Sequence, residues 1–499
     1  MFPHNIGLGA ANDAGLLERI ARVTAREILA TGVEWTFAPT LAVARNDRWG
    51  RTYESYAEDP EIVASYAGRF VQGLQDDLGG DGVIACAKHW VGDGGTADGI
   101  DQGDTVIAPG ELENVHIAPY LPAISAGVLT VMVSLSSWNG EKCHRHRYLL
   151  TDLLKNKIGF RGFIVSDWDG IEPLSDDYSE AVALGVNAGI DMFMISEKWK
   201  LFVHHLKGHV RSGTVPIERI DDAVRRILGV KVAYGLFAKP RPAERHGSDH
   251  ASFGSTEHRA VAREAVRKSL VLLKNRGGLL PLDKGARILV AGKNAHNKGH
   301  QCGGFTIAWQ GTSGNDHIEG GKSIWEGIRA VAPNAVLSRD GSATDPREFD
   351  VAIAVVGETP YAEGMGDIRA SGAVRPGARV YNSAELLQPY GSSLELAALH
   401  PEDLQAIKTI REKGIPLVVV LVSGRPLVIN QELDAASAFV AAWLPGSEGQ
   451  GVADVLFGDH NFHGKLSFSW PRDTRDNWNK GDEPYEPLFP HGFGLDYSS

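Results

Sequence analysis

The clearest chemical signal in the chain is Gly162-Phe163-Ile164-Val165-Ser166-Asp167-Trp168-Asp169-Gly170. Residues 163–166 read as a short buried strand that runs directly into an acid, a tryptophan and a second acid. An ionisable group at the C-terminal end of an apolar strand is where barrel-type α/β enzymes place their chemistry. Aspartate is also a good helix cap, so Ser166-Asp167-Trp168 alone leaves both roles open. Other reactive side chains fall at similar places. Lys88 and His89 close the apolar run 83–90, ahead of Gly92-Asp93-Gly94-Gly95. Arg51 ends the polar loop 44–51, behind a run at 34–40. Glu358 follows the buried run 351–356, and Glu363 comes five residues later in the Gly-, Pro- and Arg-containing stretch 361–391.

Competing chemistries find little support. His205 and His209 are spaced i, i+4 but lack the acid of a HExxH motif, which predicts a helix surface. Cys86, Cys143 and Cys302 show neither metal spacing nor a disulfide framework. The glycine loop 92–95 lacks a Walker lysine, and Pro445-Gly446-Ser447 is no nucleophile elbow. No metal or other cofactor is expected.

These residues need elements to hold them. Helical periodicity covers 11–31 and 59–78, and strands are predicted at 34–40, 83–90, 129–138, 163–166 and 190–195. Strands alternating with helices imply parallel βα units with right-handed crossovers. In each unit a polar cluster follows the strand, the arrangement of a (β/α) barrel with Arg51, Lys88, His89 and Asp167 at one mouth. Periodicity stops near 234–255. Beyond it a helix at 256–268 and buried strands at 270–273, 288–291, 351–356, 417–422 and 439–443 predict a second, open α/β sheet. The expected division is a barrel domain at 1–238, a linker at 239–258 and an α/β sandwich at 259–499.

The chain has 499 residues, 43% hydrophobic and 22% charged, as in a soluble globular protein of two or three domains. A net charge of −12 without a basic block argues against nucleic acid and anionic membranes as partners. The longest apolar run, 417–422, is too short to span a bilayer. Phe2-Pro3-His4 follow Met1 with no charged start or apolar run, so no signal peptide is expected in the chain as given.

Taken together, the motifs resemble glycoside hydrolase family 3, the β-glucosidases and exo-β-glucanases. They are Trp49-Gly50-Arg51 with Tyr53-Glu54-Ser55, Lys88-His89, Gly92-Asp93-Gly94-Gly95 and Ser166-Asp167-Trp168. Farther along come 302–311 (the family's tryptophan loop), Gly357-Glu358-Thr359-Pro360-Tyr361-Ala362-Glu363 and 443–451. The resemblance implies a (β/α)8-type TIM barrel followed by an α/β sandwich, with the active site between them. It also implies a retaining glycosidase, which needs two carboxylates about 5–5.5 Å apart. By position Asp167 matches the nucleophile and Glu363 the acid/base, with Glu358 as the rival. Arg51, Lys88 and His89 match hydroxyl-binding residues, with cations Arg51 and Lys88 expected to keep Asp167 ionised. A salt bridge from Arg51 to Glu54 or Asp59 is the bland alternative. Trp168 and Trp309 match an aromatic pair flanking the sugar beyond the cleaved bond, which would suit several β-linkages.

The likeness starts partway into the family pattern. The early βα units are unmatched, including the loop whose aspartate binds sugar hydroxyls, so no residue takes that role and the barrel is expected to be N-terminally incomplete. Phe305 stands where the family has a tryptophan, and Gln102 and Leu135 also depart from plant relatives. The expected activity is release of glucose from non-reducing ends of β-glucosides and β-gluco-oligosaccharides. The alternatives are a β-N-acetylhexosaminidase or β-xylosidase of the same family, or a non-catalytic carbohydrate-binding fragment.

Overall fold

The computed structural model describes residues 1–241, 251–342, 345–370 and 388–498. In the first half, Cys86–Trp90, Thr130–Val133 and Phe163–Val165 form a parallel sheet in that order. Nearly every residue of these strands is buried, as expected where both faces of a parallel sheet are covered. The runs at 34–40 and 190–195 do not form the expected strands. They lie beside the sheet as bridged neighbours, Trp35 to Ile84 and Thr40 to Lys88 on one side and Val165 to Met192 on the other, with further backbone bonds such as the Cys86 N–H to the Ala38 carbonyl and the Ser166 N–H to the Met192 carbonyl. Pro39 has no N–H to give a ladder, while the N–H groups of Asp191 and Met192 both donate to the Ile164 carbonyl instead of alternating. The hydrogen-bond ladder therefore draws a three-stranded parallel sheet with one bridged neighbour at each edge, rather than a closed ring. The expected strand at 129–138 also divides, because Ser137–Trp138 joins a small separate sheet with Asp104–Thr105 and Glu141–Lys142.

Helices cover this sheet. Ala14–Ala30 begins at Asp13, whose carboxylate accepts the Leu16 N–H. Pro60–Gln75 begins at Asp59, with Pro60 supplying a first-turn residue whose missing N–H costs nothing.

The second half holds a six-stranded sheet. Its order is Val271–Asn275, Ala438–Trp443, Leu417–Val422, Val351–Gly357, Ile288–Ala291 and Val336–Leu337. All pairings are parallel except that between Val271–Asn275 and Ala438–Trp443, which runs antiparallel at one edge. Leu417–Val422 is buried throughout, and each such aliphatic side chain contributes roughly 1.5–3 kcal/mol by leaving water.

The two halves share apolar surface. Ile6, Ala10, Trp49 and Tyr53 belong to the same buried cluster as the second sheet. In return Ala265, on the helix Thr256–Ser269, packs into the first-half core. Lys268 reaches Asp13 at 2.8 Å and Arg19 reaches Glu264 at 2.7 Å across the same seam. The molecule is thus a mixed α/β structure of two parts with mostly parallel sheets. Residues 242–250 of the expected linker and 371–387 of the long stretch 361–391 lie outside the described residues.

Candidate active site

Asp167 leaves the end of Phe163–Val165, with its side chain 15% exposed. It caps no helix. Its Oδ1 accepts the Trp168 N–H at 2.6 Å, its own N–H donates to His144 Nε2 at 3.0 Å, and its Oδ2 lies 3.8 Å from His89 Nε2. The carboxylate is therefore held at the strand end with one oxygen turned toward His89.

His89 is buried between Asp93, whose Oδ2 is 2.8 Å from Nδ1, and Arg51, whose Nη2 is 3.3 Å from Nε2. A guanidinium only donates, so Nε2 accepts and Nδ1 carries the hydrogen toward Asp93. Burial, reinforced by the charges of Arg51 and Lys88, pushes His89 down to about 3, which keeps the ring neutral. Burial raises Asp93 to about 7. His144 is likewise lowered to about 3 by burial, so its Nε2 is free to accept from Asp167.

Arg51 sits at the centre. It forms a two-pronged pair with Glu54, Nε to Oε1 at 2.6 Å and Nη2 to Oε2 at 3.0 Å, so the salt bridge considered as an alternative is present. The same guanidinium contacts His89, and its Nη1 lies 3.9 Å from Glu363 Oε1. Arg51 and Lys88 are the cations expected to keep Asp167 ionised. Among the described residues Asp167 makes no ion pair with Arg51 or Lys88, because Glu54 claims two prongs of Arg51 and His89 stands between. Lys88 is partly buried beside this group, within electrostatic reach of Glu54 and His89.

Glu363 comes from the second half, beyond Val351–Gly357, with φ of +55°. Its side chain is 27% exposed. Burial raises it to about 7, with the charges of Asp101, Asp167 and Glu54 adding and Arg51 opposing. Its rival is otherwise engaged. Glu358 is buried and accepts from Arg425 Nε at 3.0 Å, Tyr361 OH at 2.9 Å and the Gly424 N–H at 2.8 Å. Both oxygens of this carboxylate are engaged and the group is buried away from any reacting bond.

The stretch 302–311 supplies exposed apolar surface. Trp309 is 39% exposed and Trp168 51%. Phe305 lies over Arg51, with the guanidinium carbon 5.8 Å from the ring centre. Gln310 ties this loop to the segment before Glu363, accepting the Ala362 N–H at 2.8 Å and donating to its carbonyl at 3.2 Å.

Asp167, His89, Arg51 and Glu363, all singled out in the sequence, thus form a connected group, with Lys88 beside it and the two tryptophans open to solvent. Sequence reasoning missed His144, Asp101, Asp367 and Arg425 as parts of the surroundings. Arg425 and Asp367 lie in stretches with no motif of their own. Asp93 was visible only as a member of the glycine loop.

Comparison with known proteins identifies the family. Residues 1–230 match the Glycosyl hydrolase family 3 N terminal domain, and residues 270–497 match the Glycosyl hydrolase family 3 C-terminal domain. All of the chain aligns at 32% identity with 72% of a β-xylosidase from Formosa agariphila. At 30% identity it aligns with 70% of a periplasmic β-glucosidase from Salmonella typhimurium. Among solved structures, an exo-1,3/1,4-β-glucanase from a Pseudoalteromonas species superimposes with a TM-score of 0.92 at 46% identity, covering 100% of this chain and 79% of the other. A β-glucosidase from Listeria innocua solved with laminaribiose gives 0.84 at 26% identity, over 100% of this chain and 70% of the other. The chain belongs to glycoside hydrolase family 3.

Proposed function

We propose that the protein is a retaining, exo-acting β-glucosidase or exo-1,3/1,4-β-glucanase that releases glucose from β-glucosides and β-gluco-oligosaccharides. The observation that carries this reading is the convergence of two carboxylates from different halves on one Arg51–His89 pair. His89 lies 3.8 Å from Asp167 and Arg51 lies 3.9 Å from Glu363. Their environments differ in the sense a double displacement requires. Glu363 is raised to about 7 and so holds a proton to give, while Asp167 accepts an N–H and faces a neutral imidazole.

In this reading Asp167 attacks the anomeric carbon while Glu363 protonates the departing oxygen. The glycosyl–enzyme ester then yields to a water that Glu363, now ionised, deprotonates. Arg51, His89 and Lys88 would hydrogen-bond the hydroxyls of the glucose being cleaved. Trp168 and Trp309 offer flat faces to the next sugar, a mode of contact that tolerates more than one β-linkage. The first-half sheet with its bridged neighbours is read as part of a (β/α) barrel, the first domain spanning 1–238, and the second sheet as the α/β sandwich that brings Glu363. The 46% identity to an exo-1,3/1,4-β-glucanase favours glucosides over xylosides or N-acetylhexosaminides.

Turnover of 4-nitrophenyl β-glucoside, β-xyloside and β-N-acetylglucosaminide tests the reading directly. It expects the glucoside to dominate, with cellobiose and laminaribiose cleaved at comparable rates and the first-released glucose in the β form. Inversion of configuration, or preference for either other glycoside, would overturn it.

A further inference from the structure

Glu363 sits in a segment with an anchor on each side. Upstream, Tyr361 is fixed by its hydroxyl to Glu358 and by its ring beneath Arg425, 4.5 Å from the guanidinium carbon. The Tyr361 carbonyl also accepts the Tyr53 hydroxyl at 2.8 Å. Downstream a carboxylate ties the segment to the first half. Asp367 Oδ1 accepts the Gly50 N–H at 2.9 Å and Oδ2 accepts the Asp101 N–H at 3.1 Å. Both donors are backbone groups of the first half, from separate loops, and Gly50 directly precedes Arg51. The Ile368 N–H adds a bond to the Arg48 carbonyl at 2.9 Å. The approach is close enough that a Cβ on Gly50 would stand 2.0 Å from the Glu363 carbonyl oxygen.

Asp367 is buried and four residues from Glu363. Two N–H groups held by one carboxylate define both the position and the rotation of the segment, since each oxygen must face its own donor. We propose that Asp367 is a positioning residue for Glu363: its carboxylate joins the Glu363 segment to the Gly50 and Asp101 loops and so fixes Glu363 relative to Arg51 and the reacting bond. This rests on Glu363 being the acid/base. Asp367 itself contacts neither substrate nor the reacting atoms; it acts through the loop. Asparagine keeps its shape but turns an NH2 toward one of the two donors, replacing an attraction with a clash of like partners.

The test separates positioning from plain structural support by using leaving groups. An acid displaced by about 1 Å costs on the order of 10²-fold where protonation of the leaving oxygen matters. It costs nothing where the leaving group departs unaided. Asp367→Asn and Asp367→Ser are compared with Glu363→Gln on cellobiose and on 2,4-dinitrophenyl β-glucoside, reading kcat/KM. The expected result is a fall of roughly 10- to 100-fold on cellobiose, with the dinitrophenyl substrate within about twofold and Glu363→Gln showing the same split more strongly. Equal losses on both substrates, no loss on either, or failure of both Asp367 variants to fold would overturn the proposal. If Glu363→Gln itself shows no split, the acid/base assignment fails instead.

Discussion

The two sides of the candidate site are built on different principles. The first-half side is a buried, mutually bonded set in which Asp93, His89, Arg51 and Glu54 touch one another at 2.6–3.3 Å. Asp167 leans on it from a strand end. The second-half side is a loop with φ of +55° at Glu363, held at its margins by Tyr361, Gln310, Asp367 and Ile368, with Arg425 on the Gly366 carbonyl. A strand end beside a hydrogen-bonded set holds its carboxylate on a rigid base, here through Oδ1 and the backbone N–H. A loop restrains its carboxylate through backbone anchors, and can be displaced without unravelling the core. The Asp167 side should therefore fail all at once, and the Glu363 side by degrees.

The largest effect tests the rigid side. Asp167→Ala should lower kcat by on the order of 10⁴-fold or more for every substrate, as expected when a covalent route is removed. A trapped 2-fluoroglucosyl adduct on Asp167, located by mass spectrometry, would confirm the residue, and an adduct elsewhere would refute it. Next comes Glu363→Ala, expected to cost about 10²- to 10⁴-fold on poor leaving groups. Azide should restore turnover of an activated glucoside, because a small anion needs no base to attack the ester. Glu358→Ala should show no azide rescue, and instead lose about 3–5 kcal/mol of stability in denaturant unfolding as Arg425 is left buried without its carboxylate.

Gly50→Ala probes the looser side from its partner. The added methyl would meet the Glu363 carbonyl, and the expected loss is roughly 10²-fold on cellobiose, with the 2-fluoroglucoside still labelling Asp167. Truncating Trp168 or Trp309 to alanine should raise KM for laminaribiose by about tenfold through lost ring contact, leaving hydrolysis of a small aryl glucoside much less changed. The smallest effects lie in pH. Glu363 must be protonated to act, so kcat/KM on cellobiose should fall as pH rises through about 7, a limb that Glu363→Gln removes. Asp93, also at about 7 when folded, lies above its unfolded value of about 3.9. The stability it contributes is present below that value and is lost as pH rises through 7. The Tm difference between Asp93→Asn and the parent should therefore move in the variant's favour from pH 5 to pH 8.

Much of this arrangement could be read from the chain. Leu417–Val422 and Ile288–Ala291 fall where apolar runs place them, because a strand buried on both faces must be apolar throughout. The helix Thr256–Ser269 lies within one residue of its expected bounds, fixed by Ser255, whose side chain caps it. Asp167, Lys88 and His89 were legible because a charged residue at the end of an apolar strand is conspicuous. The runs at 34–40 and 190–195 lie beside the sheet as their composition suggests, but as bridged neighbours and not as regular strands, because regular pairing depends on where successive N–H and carbonyl groups point, which a one-dimensional pattern does not carry.

By itself the sequence determined the alternation of elements, the candidate acids and the family motifs around them, since those follow from local chemistry and spacing. Tertiary structure decided which acid was available. Glu358 and Glu363 are five residues apart and chemically alike, yet Arg425, Tyr361 and Gly424 occupy one, while burial and the charges of Asp101 and Asp167 hold a proton on the other. Apart from Tyr361, those partners are distant in sequence from the acids they govern, and only folding brings them within the few ångströms over which a hydrogen bond or a charge can set a carboxyl group's state.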